Sequence, residues 1–149
     1  MNDFPPLTRY LARYFPVFMG AIFASVFTLV FAVPLFFESY FQNLSMADSA
    51  KYTFLGGIAL TLVIVHCNFM IARGRPNWVR PLVALLAICF LGVLPAIAYG
   101  PHPLIYAVTS LFPLLALLLL NSKRHREMRK KLLEVRHLRE AVIAKHNAR

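Results

Sequence analysis

The sequence predicts an all-α membrane protein with four transmembrane helices, a short N-terminal interfacial helix and a basic amphipathic C-terminal cytoplasmic helix. Three observations lead there. Of the 149 residues, 59% are hydrophobic, well above the share in ordinary soluble domains. The apolar residues gather into four nearly uncharged runs, each close to the roughly 20 residues that cross about 30 Å of hydrocarbon. The charges, 16 Lys and Arg against 6 Asp and Glu, are held in the short stretches before, between and after those runs. In a soluble protein a net charge of +10 would suggest nucleic acid. Confined to the loops and one tail, it orients helices in a bilayer instead.

The first element is short. In "PPLTRYLARYF", Leu7, Tyr10, Leu11, Tyr14 and Phe15 fall on one helical stripe, with Arg9 and Arg13 on other faces. Pro5 and Pro6 suit a first turn, so an interfacial helix is expected before the first span. The apolar run 15–37 that follows is too long for a signal peptide and ends in bulky residues, not a small-residue cleavage site, so it is expected to remain as a transmembrane helix.

Spans two to four are expected at 52–72, 79–99 and 104–120, completing a transmembrane domain over 1–121. Pro34, Pro95 and Pro113 are tolerated there because neighbouring helices can satisfy the carbonyls they free, and kinks are expected at each. With both termini in the cytoplasm, 15 of the 16 basic residues lie inside and only Lys51 outside, which satisfies the positive-inside rule. The turn "ARGRPNWVRP" belongs to this pattern. Arg73, Arg75 and Arg80 hold it at the inner leaflet, Gly74 and Pro76 break the helix, and Trp78 anchors span three at headgroup level.

The tail, 122–149, carries ten Lys and Arg with Glu127, Glu134 and Glu140. Met128, Leu132, Val135, Leu138, Val142 and Ile143 gather on one side of a helix, interrupted by Arg139. The pairs Glu127 with Lys131, Lys130 with Glu134 and Arg136 with Glu140 stand at i, i+4, each supporting the helix by about 0.2–0.5 kcal/mol. Anionic lipid headgroups are the first expected partner of this helix and a protein helix the second. Nucleic acid is not expected, because no aromatic platform accompanies the charge.

Chemistry inside the membrane is sparse. His66, Cys67 and Cys89 offer three ligands without an evident second shell, so neither a metal nor another cofactor is expected. The cysteines lie within apolar runs and read as small packing residues. No buried carboxylate of the kind a small proton-coupled antiporter needs is present in any span, and no outward cysteine pair of the kind a disulfide-relay quinone reductase needs. An enzyme is not expected, and a transporter ranks third among the functional readings.

Small residues four apart, Gly20 with Ala24, Ala21 with Ser25, and Gly92 with Ala96, mark faces where helix backbones can approach closely, either within the bundle or against a partner. The loop "ESYFQNLSMADSAK" holds Glu38, Tyr40, Phe41 and Asp48 as candidate outward contacts.

The turn "GR-x-x-W-x-R", here Gly74, Arg75, Trp78 and Arg80, resembles that of other small four-span bacterial proteins. In layout the chain resembles inner-membrane immunity proteins that protect bacteria from membrane-targeting toxins. That resemblance implies a non-enzymatic protein of the bacterial inner membrane whose partner is a membrane-inserting toxin, recognised through its helices in the bilayer. The alternative is a subunit or assembly factor of a larger membrane complex.

Overall fold

A computed structural model describes the backbone of residues 7–147 and the side chains of residues 13–146. The chain forms α1 (Leu7–Tyr40), α2 (Met46–Ala72), a 3-10 turn (Pro76–Trp78), α3 (Val79–Val93), a 3-10 segment (Leu94–Tyr99), α4 (Pro103–Asn121) and α5 (Lys123–Asn147). Four stretches are long and apolar enough to cross a membrane: Arg13–Tyr40, Met46–Ala72, Pro76–Tyr99 and Pro103–Asn121.

The four spans form a ring in sequence order, with α1 as its most enclosed member. α1 packs most extensively on α4, then on α2, and reaches across the ring to α3. Residues with small side chains face the centre: Ala21, Ala24 and Ala116 meet Leu29, Ile64, Leu82 and Leu86. Hydroxyls inside the ring do not compete for other backbone. Ser25 donates to Ala21 O at 2.7 Å and Thr28 to Ala24 O at 2.8 Å, the turn below each.

The interfacial helix expected before span one is not a separate element. The helix begins at Leu7 and continues unbroken to Tyr40, so its 34 residues reach about 50 Å, well beyond the hydrocarbon thickness. Of the expected stripe, Leu7, Tyr10 and Leu11 lie outside the described side chains. Phe15 is exposed, whereas Tyr14 is buried, because α5 covers it.

Helix α3 does not run to Tyr99 as one α-helix. Pro95 removes a donor, and the chain tightens into 3-10 geometry from Leu94 until Gly100 ends it in a left-handed conformation, φ +69°. Two tyrosines cap carbonyls at this junction: Tyr40 Oη donates to Gly92 O at 3.0 Å and Tyr106 Oη to Leu94 O at 3.1 Å.

At the other, basic end the chain turns a corner at Ser122, whose extended backbone stops α4 and whose Oγ accepts from the His125 N–H at 3.2 Å. Helix α5 then crosses the end of the bundle. Its first half is docked. Met128 and His125 are buried, His125 stacks on Phe18 with ring centroids 6.3 Å apart, and Tyr14 Oη donates to Glu127 Oε2 at 3.1 Å. Arg13 approaches the same carboxylate at 3.6 Å and the Lys131 ammonium lies over the Tyr14 ring. The expected helical pairing of Glu127 with Lys131 is therefore replaced by contacts with α1. Arg136 with Glu140 does form, at 2.7 Å. Beyond Arg136 every described residue of α5 is exposed, including Leu138, Val142 and Ile143.

Candidate functional site

The surface of the ring is not evenly packed. α2 leans on α1 at its start, where Phe37 and Val33 approach Gly56, and on α3 at its end. Along the middle of α2 a cleft of about 360 Å³ opens between it and α1, walled by Val30, Pro34, Thr53, Gly57, Thr61 and Leu62. A second cleft of about 590 Å³ shares Pro34 and Thr53 with the first and continues past Glu38, Phe41, Gln42 and Met46. Together they make one trough, running from the α1–α2 loop toward the middle of the bundle.

The floor of the trough is set by sequence. Thr53, Gly57 and Thr61 are four apart on α2, so they stack one above another on a single face. A Cβ added at Gly57 would meet nothing within 4 Å, so the groove is open there. Thr28 and Thr109 spend their hydroxyls on their own helices, but Thr53 and Thr61 have no hydrogen-bond partner among the described residues. Opposite them, Pro34 has no N–H to give to Val30 O. A bare small-residue stripe, two unspent hydroxyls and a proline-freed carbonyl are the features by which helices in lipid recognise one another.

The small-residue faces singled out in the sequence are elsewhere and turned inward. Ala24 and Ala96 are buried, a Cβ on Gly20 would lie 3.4 Å from Leu119, and one on Gly92 would lie 3.8 Å from Phe36. These four residues lie at contacts between the helices of the bundle. Of the four loop residues, Glu38 and Phe41 rim the trough. Tyr40 turns away from it to reach Gly92 O and stacks edge-on with Tyr99 at 5.5 Å. Asp48 is engaged with Ser45: the Ser45 hydroxyl caps the α2 N-terminus and donates to Asp48 Oδ2 at 2.7 Å.

At the basic end Arg73, Arg75 and Arg80 are exposed. Arg73 lies over the Phe69 ring at 4.6 Å, and Trp78 meets His66 edge-on at 4.9 Å. Cys67 is buried and Cys89 half-buried, and both are free thiols. Among the described residues no three His, Cys, Asp or Glu side chains come together as a metal site would require.

Thr53, Gly57 and Thr61 were the residues that sequence reasoning missed. Their spacing is visible in "TFLGGIALT", but it is no different in kind from the inward pairs, and only the packing of α1 against α2 distinguishes them. Comparison with protein-family models, with curated proteins and with solved structures gives no match.

Proposed function

We propose that this chain is a helix-recognition protein of the bacterial inner membrane, in its most concrete form an immunity protein that neutralises a membrane-inserting toxin. The trough between α1 and α2 carries this reading. Positive-inside orientation puts the basic end in the cytoplasm, so the mouth at Glu38 and Phe41 opens outward. An incoming helix would meet that mouth first and then slide along Thr53, Gly57 and Thr61, where its backbone can come close and its polar groups find two hydroxyls. No catalytic step is part of this function: binding holds the inserted helix away from its own kind and blocks pore assembly.

The test is protection. Cells expressing the protein are challenged with a panel of membrane-targeting bacterial toxins, beside cells expressing Gly57→Leu at the same membrane level. Leucine at 57 fills the open groove without disturbing a packed neighbour, so protection by the wild type should be lost in the variant. Equal protection by both, or protection against none of the panel, counts against the reading.

A second reading has its own support. The exposed half of α5, with Val135, Leu138, Val142 and Ile143 uncovered, suits a subunit that joins a larger membrane complex through its tail. Loss of function on removing residues 137–149, with Gly57→Leu unaffected, would favour it.

A further inference from the structure

A separate cleft opens on the membrane-facing side, between the end of α2 and the start of α3, and it differs from the trough in length, charge and chemistry. Its volume is about 630 Å³, and Leu62, Val65, Phe69 and Pro81 form its apolar walls. From Leu62 to Phe69 it covers only about 10 Å of helix axis, a third of the hydrocarbon thickness, so a spanning partner helix would find little of it to grip. At the basic end His66 and Trp78 line it, edge to face at 4.9 Å.

Arginines stand beside the basic end of this cleft. The Arg73 guanidinium rests over the ring of Phe69, a wall residue, and Arg80 precedes Pro81, another. Neither arginine has a carboxylate partner among the described residues. Between Asp48 and Glu127 the sequence holds no Asp or Glu, so neither α3 nor the α2–α3 turn carries a carboxylate. His66 is likewise exposed and without a hydrogen-bond partner among the described residues, six residues before α2 ends at Ala72. An apolar slot about 10 Å long, an imidazole on its wall, the Arg73 guanidinium over the wall residue Phe69 and Arg80 next in sequence to Pro81 match the three parts of a phospholipid: acyl chain, ester carbonyl and phosphate.

We propose that this cleft binds one anionic phospholipid, with its phosphate on Arg73 and Arg80 and the upper part of an acyl chain between Leu62, Val65 and Phe69. A concave surface facing hydrocarbon fills with chain in any bilayer. The guanidiniums then decide which headgroup is retained, and a headgroup with net negative charge is favoured over a zwitterionic one by about fivefold for each arginine.

Trp78 makes the test direct, because it is the only tryptophan in the chain and lines the cleft. The full-length protein is reconstituted in phosphatidylcholine vesicles containing a small fraction of lipid brominated on its acyl chains, either phosphatidylglycerol or phosphatidylcholine, and Trp78 fluorescence is followed. Quenching by the brominated phosphatidylglycerol should begin at a much lower mole fraction, and Arg73→Gln with Arg80→Gln should bring the two lipids together. Both arginines are exposed, so the variant keeps its packing. Arg139→Gln with Lys145→Gln, on the exposed arm of α5, should leave the preference intact. Equal quenching by the two lipids in the wild type would overturn the proposal, as would a preference that survives in the Arg73/Arg80 variant or vanishes in the tail variant. Soluble glycerol phosphate at millimolar concentration should not compete, and competition would show that a free phosphate, not a lipid, is what the arginines select.

Discussion

Gly74 lies directly beneath the Leu132 carbonyl: a Cβ at position 74 would sit 2.6 Å from Leu132 O and 3.1 Å from Arg136 Cβ. The α2–α3 turn and the C-terminal helix therefore touch backbone to backbone. Gly74 also holds φ at +78°, the left-handed conformation that ends α2. One residue thus meets two independent requirements, for a turn and for a close approach, and together they decide where α5 rests.

Gly74→Ala should cost more than any other glycine-to-alanine change in the chain. The left-handed backbone alone accounts for about 1–2 kcal/mol. Gly100 offers an internal control, since its φ is +69° but nothing lies within 4 Å of its would-be Cβ. Gly100→Ala should show the backbone cost only, and the excess in Gly74→Ala reports the displacement of α5. Thermal unfolding in detergent measures the totals. Trypsin cleavage at Arg129 to Lys131 should accelerate in Gly74→Ala and stay slow in Gly100→Ala.

Docking of α5 should weaken in acid through His125. The residue is 1% exposed and its ring is stacked on Phe18, neither ring nitrogen has a partner, and burial, helped by the Arg129 charge, lowers its pKa to about 4. In the undocked chain the same group titrates near 6.5. The released state therefore binds the extra proton, so the contribution is fully present above about pH 6.5 and is lost as pH falls toward 4. The difference amounts to about 3 kcal/mol at most. Protease sensitivity of α5 followed from pH 7 to 4 should rise in the wild type, and His125→Leu should flatten the response across that window. An unchanged profile in His125→Leu would assign the acid effect to another group.

The spans were legible because crossing hydrocarbon demands a long uncharged run, and only a few segments of any chain supply one. The turns were legible for a similar reason: Gly74, Pro76 and Gly100 do what few residues can. The division of α5 was not legible. Met128, Leu132, Val135 and Leu138 present one continuous stripe on a wheel, yet the bundle end is wide enough to cover only the first half. A wheel records which side of a helix is apolar and contains nothing about how far its neighbour extends. The same limit explains Glu127. Lys131 is its natural partner within a helix, but the early turns of α1 pack on α5 and bring Tyr14 and Arg13 to the carboxylate first.

The sequence offers Tyr40 as an outward contact, whereas its hydroxyl caps Gly92 O inside the bundle, which gives a prediction with a definite sign. Tyr40→Phe keeps the ring against Phe36 and Tyr99 but removes the donor to Gly92 O. A carbonyl at the proline-tightened end of α3 would then lack its partner, at a cost of about 1–2 kcal/mol. Thermal unfolding of the variant should show that loss. Recognition of a partner through the trough should be unaffected, because Tyr40 points away from it. A protein of unchanged stability that failed to protect cells would instead restore Tyr40 to the outward surface.

Truncations of the tail should divide sharply at Arg136. Among the described side chains, removing residues 137–149 takes away only exposed ones and leaves Met128, Leu132 and the Glu127 contacts in place. Stability should change by less than about 0.5 kcal/mol, the range of surface changes generally. Removing 126–149 deletes the Glu127 carboxylate, uncovers Tyr14 and Gly74, and takes out a buried methionine. The buried methionine alone is worth about 2 kcal/mol or more. Unfolding temperature in detergent, together with the level of each protein in membranes, separates the two. The distinction governs the functional test as well. A chain cut at 126 that lost protection would report only a damaged bundle, whereas one cut at 137 asks whether the exposed arm of α5 takes part in recognition.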